Sequence, residues 1–278
     1  LTQGFSIQLS QYYGAKDFEN LRKSLAHSYR LTAFIAAGVL ILSQSFASLV
    51  LTGLHTPSNI IGMSLLYLRI IFCGIPATAA YNMFASALRA MGNSKTPLTA
   101  MIIASVLNVS LDILFVAGFG WGVAGAAIAT VIAQSFSAVY CFLILRRIDI
   151  VHLTRADFMP ASGMNARLMK LGIPVVFQNI IIGVGGLVVQ YVINGYGFLF
   201  VAGFTATNKL YGLLEMAAIS YGYAIVTYVG QNLGAGKIDR IRKGVRSSML
   251  LSLLTSLIIS AAMFLFGKNI LSLFISGE

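Results

Sequence analysis

Charge is scarce in this chain. Asp, Glu, Lys and Arg make up 10% of its 278 residues, against about 25% in an average soluble domain, and the shortage excludes a water-soluble globular fold. Acid is scarcer still: eight Asp and Glu stand against 19 Lys and Arg, for a formal charge of +11. In a soluble protein that excess would point to nucleic acid, but its placement argues otherwise. The two cysteines, Cys73 and Cys141, lie in apolar runs without CxxC spacing, which suggests neither a disulfide framework nor a zinc site. His27, His55 and His152 are isolated, and no HExxH, GxSxG or P-loop occurs, which disfavours a metalloprotease, a serine hydrolase and an ATP-driven pump. We expect no enzyme, no cofactor and no structural metal.

What the chain has is apolar length: 58% of its residues are hydrophobic and the mean hydropathy is +0.84. A bilayer core is crossed by about 20 mostly apolar residues in a helix. Seven such runs are present, at 31–54, 60–88, 97–117, 122–145, 167–193, 199–229 and 247–274, and residues 1–13 read as the end of an eighth helix. The runs are too long and continuous for a barrel's alternation, so the expected fold is an all-α polytopic membrane protein. Leu1 opens in mid-pattern without a Met, and we expect the chain to be a fragment.

The cations sort by loop. Lys16, Arg22, Lys23 and Arg30 lie in 14–30; Arg89 and Lys95 in 89–96; Arg146, Arg147, Arg155, Arg167 and Lys170 in 146–170; Lys237, Arg240, Arg242, Lys243 and Arg246 in 231–246. The alternate loops, 55–59, 118–121 and 194–198, have none. Lys and Arg mark cytoplasmic loops, so the charge reads as topology rather than nucleic-acid binding. Residues 146–166, with Pro160 and Gly163, are too short to fold alone and read as a cytoplasmic linker between two bundles, 1–145 and 167–278.

Two basic loops repeat. QYYGAKDFENLRK at 11–23 and QNLGAGKIDRIRK at 231–243 share Gln, Gly, Ala, Arg and Lys without a gap at an offset of 220. A shared helix-end signature would explain the glycines and cations, whereas duplication also explains why both copies lie on one face six helices apart, as a parallel repeat requires. Two bundles of six then predict twelve helices in the whole protein.

Ionisable groups in mid-membrane are default functional candidates: here Arg69, Asp112, Lys209 and Glu215. Asn108 precedes Asp112 by one helical turn, and Thr130 lies at similar depth in the next run. The three suit a hard cation or a protonatable carboxyl, with a structural inter-helix hydrogen bond as the plain alternative. Gln178, Asn179 and Gln190, followed by Lys209 and Glu215, give the second bundle a polar interior and are substrate-cavity candidates. Gly122/Ala126 and Gly125/Ala129 read as small residues for close helix packing.

LRAMGNSKTPL at 88–98, LNVSLDILFV at 107–116, GVAGAAIATVIAQ at 122–134, LGIPVVFQN at 171–179 and VGQNLGAGKIDRIRKG at 229–244 together resemble the multidrug and toxic compound extrusion (MATE) transporters over nearly the whole chain. The resemblance implies two six-helix lobes related by a pseudo-two-fold, of which this chain holds the end of helix 2 through helix 9. It implies a monomeric antiporter of the plasma membrane that exports organic compounds in exchange for Na⁺ or H⁺. It places Asn108, Asp112 and Thr130 at the cation site of the N-terminal lobe, with a further Asp from helix 1. A carboxylate that one branch carries seven residues after the Pro of the GIP motif is Ile181 here. A lipid-linked precursor flippase of the same superfamily, and a channel or membrane scaffold, are the alternatives.

Overall fold

The computed structural model describes residues 1–53, 56 and 58–272, less the side chains of 198, 199, 202, 206, 209, 210, 213, 214 and 268–272. Among them the regular structure is entirely helical: α1 (Thr2–Gly14), α2 (Phe18–Gly53), α3 (Ser58–Cys73), α4 (Ile75–Ala90), α5 (Lys95–Asp112), α6 (Gly122–Arg146), α7 (Met164–Asn194), α8 (Phe198–Gly234) and α9 (Ile238–Ser272). Six of the seven apolar runs fall in helices or helix pairs long and apolar enough to cross a membrane, and the run 199–229 lies inside the 37-residue α8. Residue 54, the end of the first run, and residues 273 and 274, the end of the last, lie outside the described residues.

The run 60–88 is two helices rather than one. Pro76 has no N–H to continue a helical ladder, and the chain breaks at Gly74. A Cβ there would stand 2.9 Å from Val131 Cγ2 of α6. Conversely, α2 and α9 begin well before their apolar runs. Leu21 and Leu25, one turn apart, are buried on α2, so the basic stretch before Leu31 is already helix with one side packed inward.

The core gathers at one end of the bundle. Phe5 and Leu9 of α1, Leu21 and Leu25 of α2, Met83 and Leu88 of α4, Cys141 and Leu145 of α6 and Leu168 of α7 form one buried cluster, all near the basic loops. Farther along the helices large apolar residues face outward, among them Ile181, Leu187, Leu257 and Ile258.

The repeat is present in three dimensions. Ala15, Lys16 and Asp17 donate their N–H groups to the carbonyls of Gln11, Tyr13 and Tyr12 at 2.9, 3.1 and 3.0 Å. Ala235, Gly236 and Lys237 donate to Gln231, Leu233 and Asn232 at 3.0, 3.1 and 2.8 Å. Every donor and acceptor matches at the offset of 220, and both turns carry a left-handed residue, Lys16 at φ +58° and Gly236 at φ +68°. This is the helix-ending turn in which a left-handed residue satisfies the last carbonyls.

Residues 147–163 are ordered against α2. Asp157, buried, accepts from Thr154 N at 2.7 Å and Thr154 Oγ1 at 2.8 Å, and Arg22 Nε approaches it at 3.7 Å. Arg30 donates to Phe158 O at 2.9 Å. The His27 ring nitrogens lie 2.7 Å from Asn165 Oδ1 and 3.1 Å from Met159 O. Cations that read as topology in the sequence also fasten this segment.

Candidate functional site

Helices α5 and α6 pack along their lengths and α4 lies against α6. Between them opens a cavity of about 360 Å³, whose lining includes Thr78, Tyr81 and Asn82 of α4, Asn108 of α5 and Thr130 and Gln134 of α6. The structure thus brings Asn108 and Thr130 to one space. Asp112 follows Asn108 by one turn on α5 and, like it, is half-buried. Asp112 Oδ1 and Asn108 Nδ2 are both buried without a hydrogen-bond partner. A group left so costs ~1–3 kcal/mol, which makes the pair a place that calls for a ligand, a proton or another polar side chain. Thr130 Oγ1 donates to Ala126 O at 3.0 Å, which leaves its oxygen lone pairs able to accept.

Immediately after Asp112 the helix widens to a π-helical segment, Ile113–Gly118, a distortion common at functional sites. Beyond it Phe115 stacks on Trp121 at 5.0 Å between ring centres. Gly125 is glycine because a Cβ would meet Phe115 Cβ at 2.9 Å and Trp121 Cβ at 3.1 Å. Its partner in the small-residue pattern, Ala129, is fully buried. Gly122 has open space around it and instead takes φ +53°, so its glycine serves the backbone rather than packing.

The sequence reading missed Thr78, Tyr81, Asn82 and Gln134. Thr78 Oγ1 hydrogen-bonds Gln134 Oε1 across α4 and α6. Two signals were available: Thr78 and Asn82 are one turn apart, and Gln134 is one turn beyond Thr130. Among the described residues no three His, Cys, Asp or Glu side chains gather. The donors here are hydroxyl and amide oxygens with one carboxylate, which suit hard ions or protons.

The candidates in the C-terminal half are not brought together in the same way. Gln178 is exposed, and Asn179 Nδ2 donates to Val175 O at 2.7 Å within its own helix. Gln190 Nε2 donates to Asn194 Oδ1 at 2.8 Å, and Glu215 is exposed. The side chain of Lys209 lies outside the described residues. Arg69 is exposed, and its carbonyl accepts from Gln44 Nε2 at 2.9 Å.

At the basic end the two halves of the chain meet. The α1 backbone at Gly14 touches the Gln231 carbonyl, and Gly234 touches the Gln11 carbonyl, too closely for a Cβ at either glycine. Gln231 Nε2 donates to Ala90 O at 2.8 Å, and the Arg89 guanidinium lies 4.9 Å over the Tyr223 ring. Read in the sequence as a helix-end polar group and an interface anchor, these two side chains tie α8 to α4.

The MatE family model matches residues 1–114 and 174–278, most of the chain. The chain belongs to the MatE family. It is 32% identical over 268 residues to a probable multidrug resistance protein, YpnP, of Bacillus subtilis (strain 168), covering 96% of this chain and 60% of that protein. It is 27% identical over 283 residues to a second from the same strain, YoeA, covering 99% and 61%. The MatE chain therefore spans about 60% of the length of these relatives. It superposes on the outward-facing conformation of a multidrug resistance MATE family transporter of the MOP superfamily with a TM-score of 0.88 and 18% identity, covering 99% of this chain and 62% of that one. Against the inward-facing conformation of such a transporter the TM-score is 0.73 at 20% identity, covering 100% and 64%. The fold is that of the MATE transporters, a multi-pass membrane architecture.

Proposed function

We propose that this MatE chain forms part of a secondary active antiporter of the plasma membrane that exports organic, often cationic, compounds in exchange for Na⁺ or H⁺. The observation that carries the reading is the orphaned pair, Asp112 Oδ1 and Asn108 Nδ2, of which Asn108 lines the cavity that also holds Thr78, Asn82, Thr130 and Gln134. Rotating the Asn108 amide by half a turn would present an oxygen there instead of a nitrogen. Asn108 and Thr130 then offer neutral oxygens and Asp112 a charge, a set that serves a sodium ion or a proton.

An ion that binds at Asp112 can bias this half of the molecule between two states through its differential affinity for them. In the reading proposed, residues 1–145 and 167–278 belong to two lobes joined by 146–166, and the basic face is cytosolic. The contacts of Gly14 with Gln231 and of Gly234 with Gln11 close the lobes on that face, which corresponds to an outward-open state. Substrate would then lie between the lobes, where Gln178, Asn179, Gln190, Lys209 and Glu215 are candidates to meet it.

The test is efflux of several unrelated dyes under imposed Na⁺ or H⁺ gradients, run beside translocation of a labelled lipid-linked precursor. Dye efflux that follows one ion gradient supports the antiporter. Movement of the lipid precursor alone would replace it with a flippase.

A further inference from the structure

Where the ends of α1 and α8 cross, a cleft of about 580 Å³ opens on the basic face. Its walls include Tyr13, Lys16 and Phe18 from the first half of the chain and Tyr228, Lys237 and Arg240 from the second. Three cations thus converge on it from both sides. No carboxylate lines it, and among the described residues none of the three forms an ion pair. Nearby acids are engaged elsewhere: Asp17 with Asn20 at 2.7 Å, Glu19 with Lys23 at 2.6 Å, Asp157 with Arg22 at 3.7 Å and Asp239 with Arg242 at 4.0 Å.

The two matched turns show that this convergence runs against local preference. The left-handed position after the helix end belongs to glycine on steric grounds. The second turn has Gly236 there, whereas the first has Lys16, the positive-φ residue other than glycine among the described residues. The position that starts the next helix favours Asp, whose carboxylate accepts a first-turn N–H. The first turn has Asp17, which accepts from Asn20 N at 3.1 Å, whereas the second has Lys237. Each turn has given up one fitting residue for a lysine, and both lysines border the same cleft. A topological signal needs cations somewhere on this face; it does not need them at the two positions where they fit the backbone worst.

We propose that this cleft binds the phosphate headgroup of an anionic phospholipid of the cytosolic leaflet, and that the bound lipid holds the ends of α1 and α8 together. A basic pocket between membrane helices on the cytosolic side suits such a headgroup, and Tyr13 and Tyr228 place amphipathic rings where headgroups lie. Lys16 comes from one half and Lys237 and Arg240 from the other, so a headgroup between them bridges the two and favours the state closed on the cytosolic side. The proposal rests on the orientation given above, which impermeant labelling of the loops checks separately.

The test takes the full chain, purified in detergent, and measures by native mass spectrometry its retention of added phosphatidylglycerol relative to phosphatidylcholine. Lys16→Gly and Lys237→Asp supply the residues that the turns prefer, so both should melt no lower than the parent while retaining less phosphatidylglycerol. Each unit of positive charge lost should cost about fivefold in that retention, so Lys16→Gly and Arg240→Gln should each lose about fivefold and the charge-reversing Lys237→Asp more. Arg146→Gln with Arg147→Gln, which removes two cations from the same face outside the cleft, should leave retention unchanged. Equal loss in that control would mean bulk charge, and unchanged retention in Lys16→Gly/Lys237→Asp would mean no site. Either result overturns the proposal. Displacement of the lipid by inorganic phosphate at comparable concentration would make the ligand a free anion and overturn the lipid assignment. Failure here with the loop labelling as expected would leave the transport reading standing.

Discussion

Gly14 and Gln231 meet backbone to backbone, and Gly234 meets Gln11 in the same way; the two contacts exchange under the offset of 220 that relates the repeated loops. Ser10 adds a third contact on its own counterpart, Gly230. A two-fold relation between α1 and α8 therefore passes through this crossing. The glycines are what allows two helix backbones to approach so closely.

A methyl group at either glycine must push the helices apart. Gly14→Ala and Gly234→Ala are each expected to destabilise by ~1–3 kcal/mol, the usual cost of overpacking, and by similar amounts because the contacts are equivalent. Gly38→Ala, where nothing lies within 4 Å, should be neutral or stabilising. Thermal melting followed by circular dichroism reads all three; a large loss at one crossing glycine and none at the other would contradict the symmetric contact.

The orientation has its own check. Single cysteines at Ser58 and Ser94, in a background without Cys73 and Cys141, should react differently with an impermeant thiol reagent added outside cells. Ser58→Cys is expected to label and Ser94→Cys to be protected. The reverse pattern would invert the topology.

Asp112→Asn removes the charge and keeps the shape. Ion-driven efflux of several unrelated substrates should fall together in the protein that contains this chain, with expression and substrate binding largely kept. Asn108→Ala and Thr130→Ala should weaken ion dependence less. Loss of folded protein in parallel with activity would mark Asp112 as structural, and loss for only some substrates would mark it as a substrate ligand. Intact ion dependence in a well-folded Asp112→Asn protein would remove it from the coupling site.

Asp157 fastens the segment between α6 and α7 through Thr154 and Arg22. Asp157→Ala leaves those donors without their acceptor, at ~1.5–3 kcal/mol for hydrogen bonds to a charged group. Faster tryptic cleavage at Arg155 is the expected result, with α5 and α6 still protected. Unchanged cleavage would mean that His27 and Arg30 hold the segment without it.

The all-helical character and the apolar spans were legible in the sequence because each rests on a local property, apolar length above all, whereas the division of the run 60–88 into two helices was not. The repeat was legible for the same reason, since Gln11, Gly14 and Ala15 return as Gln231, Gly234 and Ala235. Asn108 and Asp112 could be paired because residues four apart share a helix face. Thr78 and Gln134 could not be paired with each other, since 56 positions separate them and no helical period connects residues on different helices.

Tertiary structure alone decided which faces meet. In a soluble helix the polar side reveals the buried one, but α7 and α9 are apolar around most of their membrane portions, so composition does not separate an exposed Ile181 or Leu257 from a packed Leu168. Backbone approach at Gly14 and the stacking of Arg89 over Tyr223 likewise arise between segments rather than within them. The sequence by itself determined what crosses the membrane and which end is basic, through the energetics of single segments in lipid. The structure determined where the two halves touch and which polar atoms are left unpaired, because those depend on distances between residues the chain order keeps far apart.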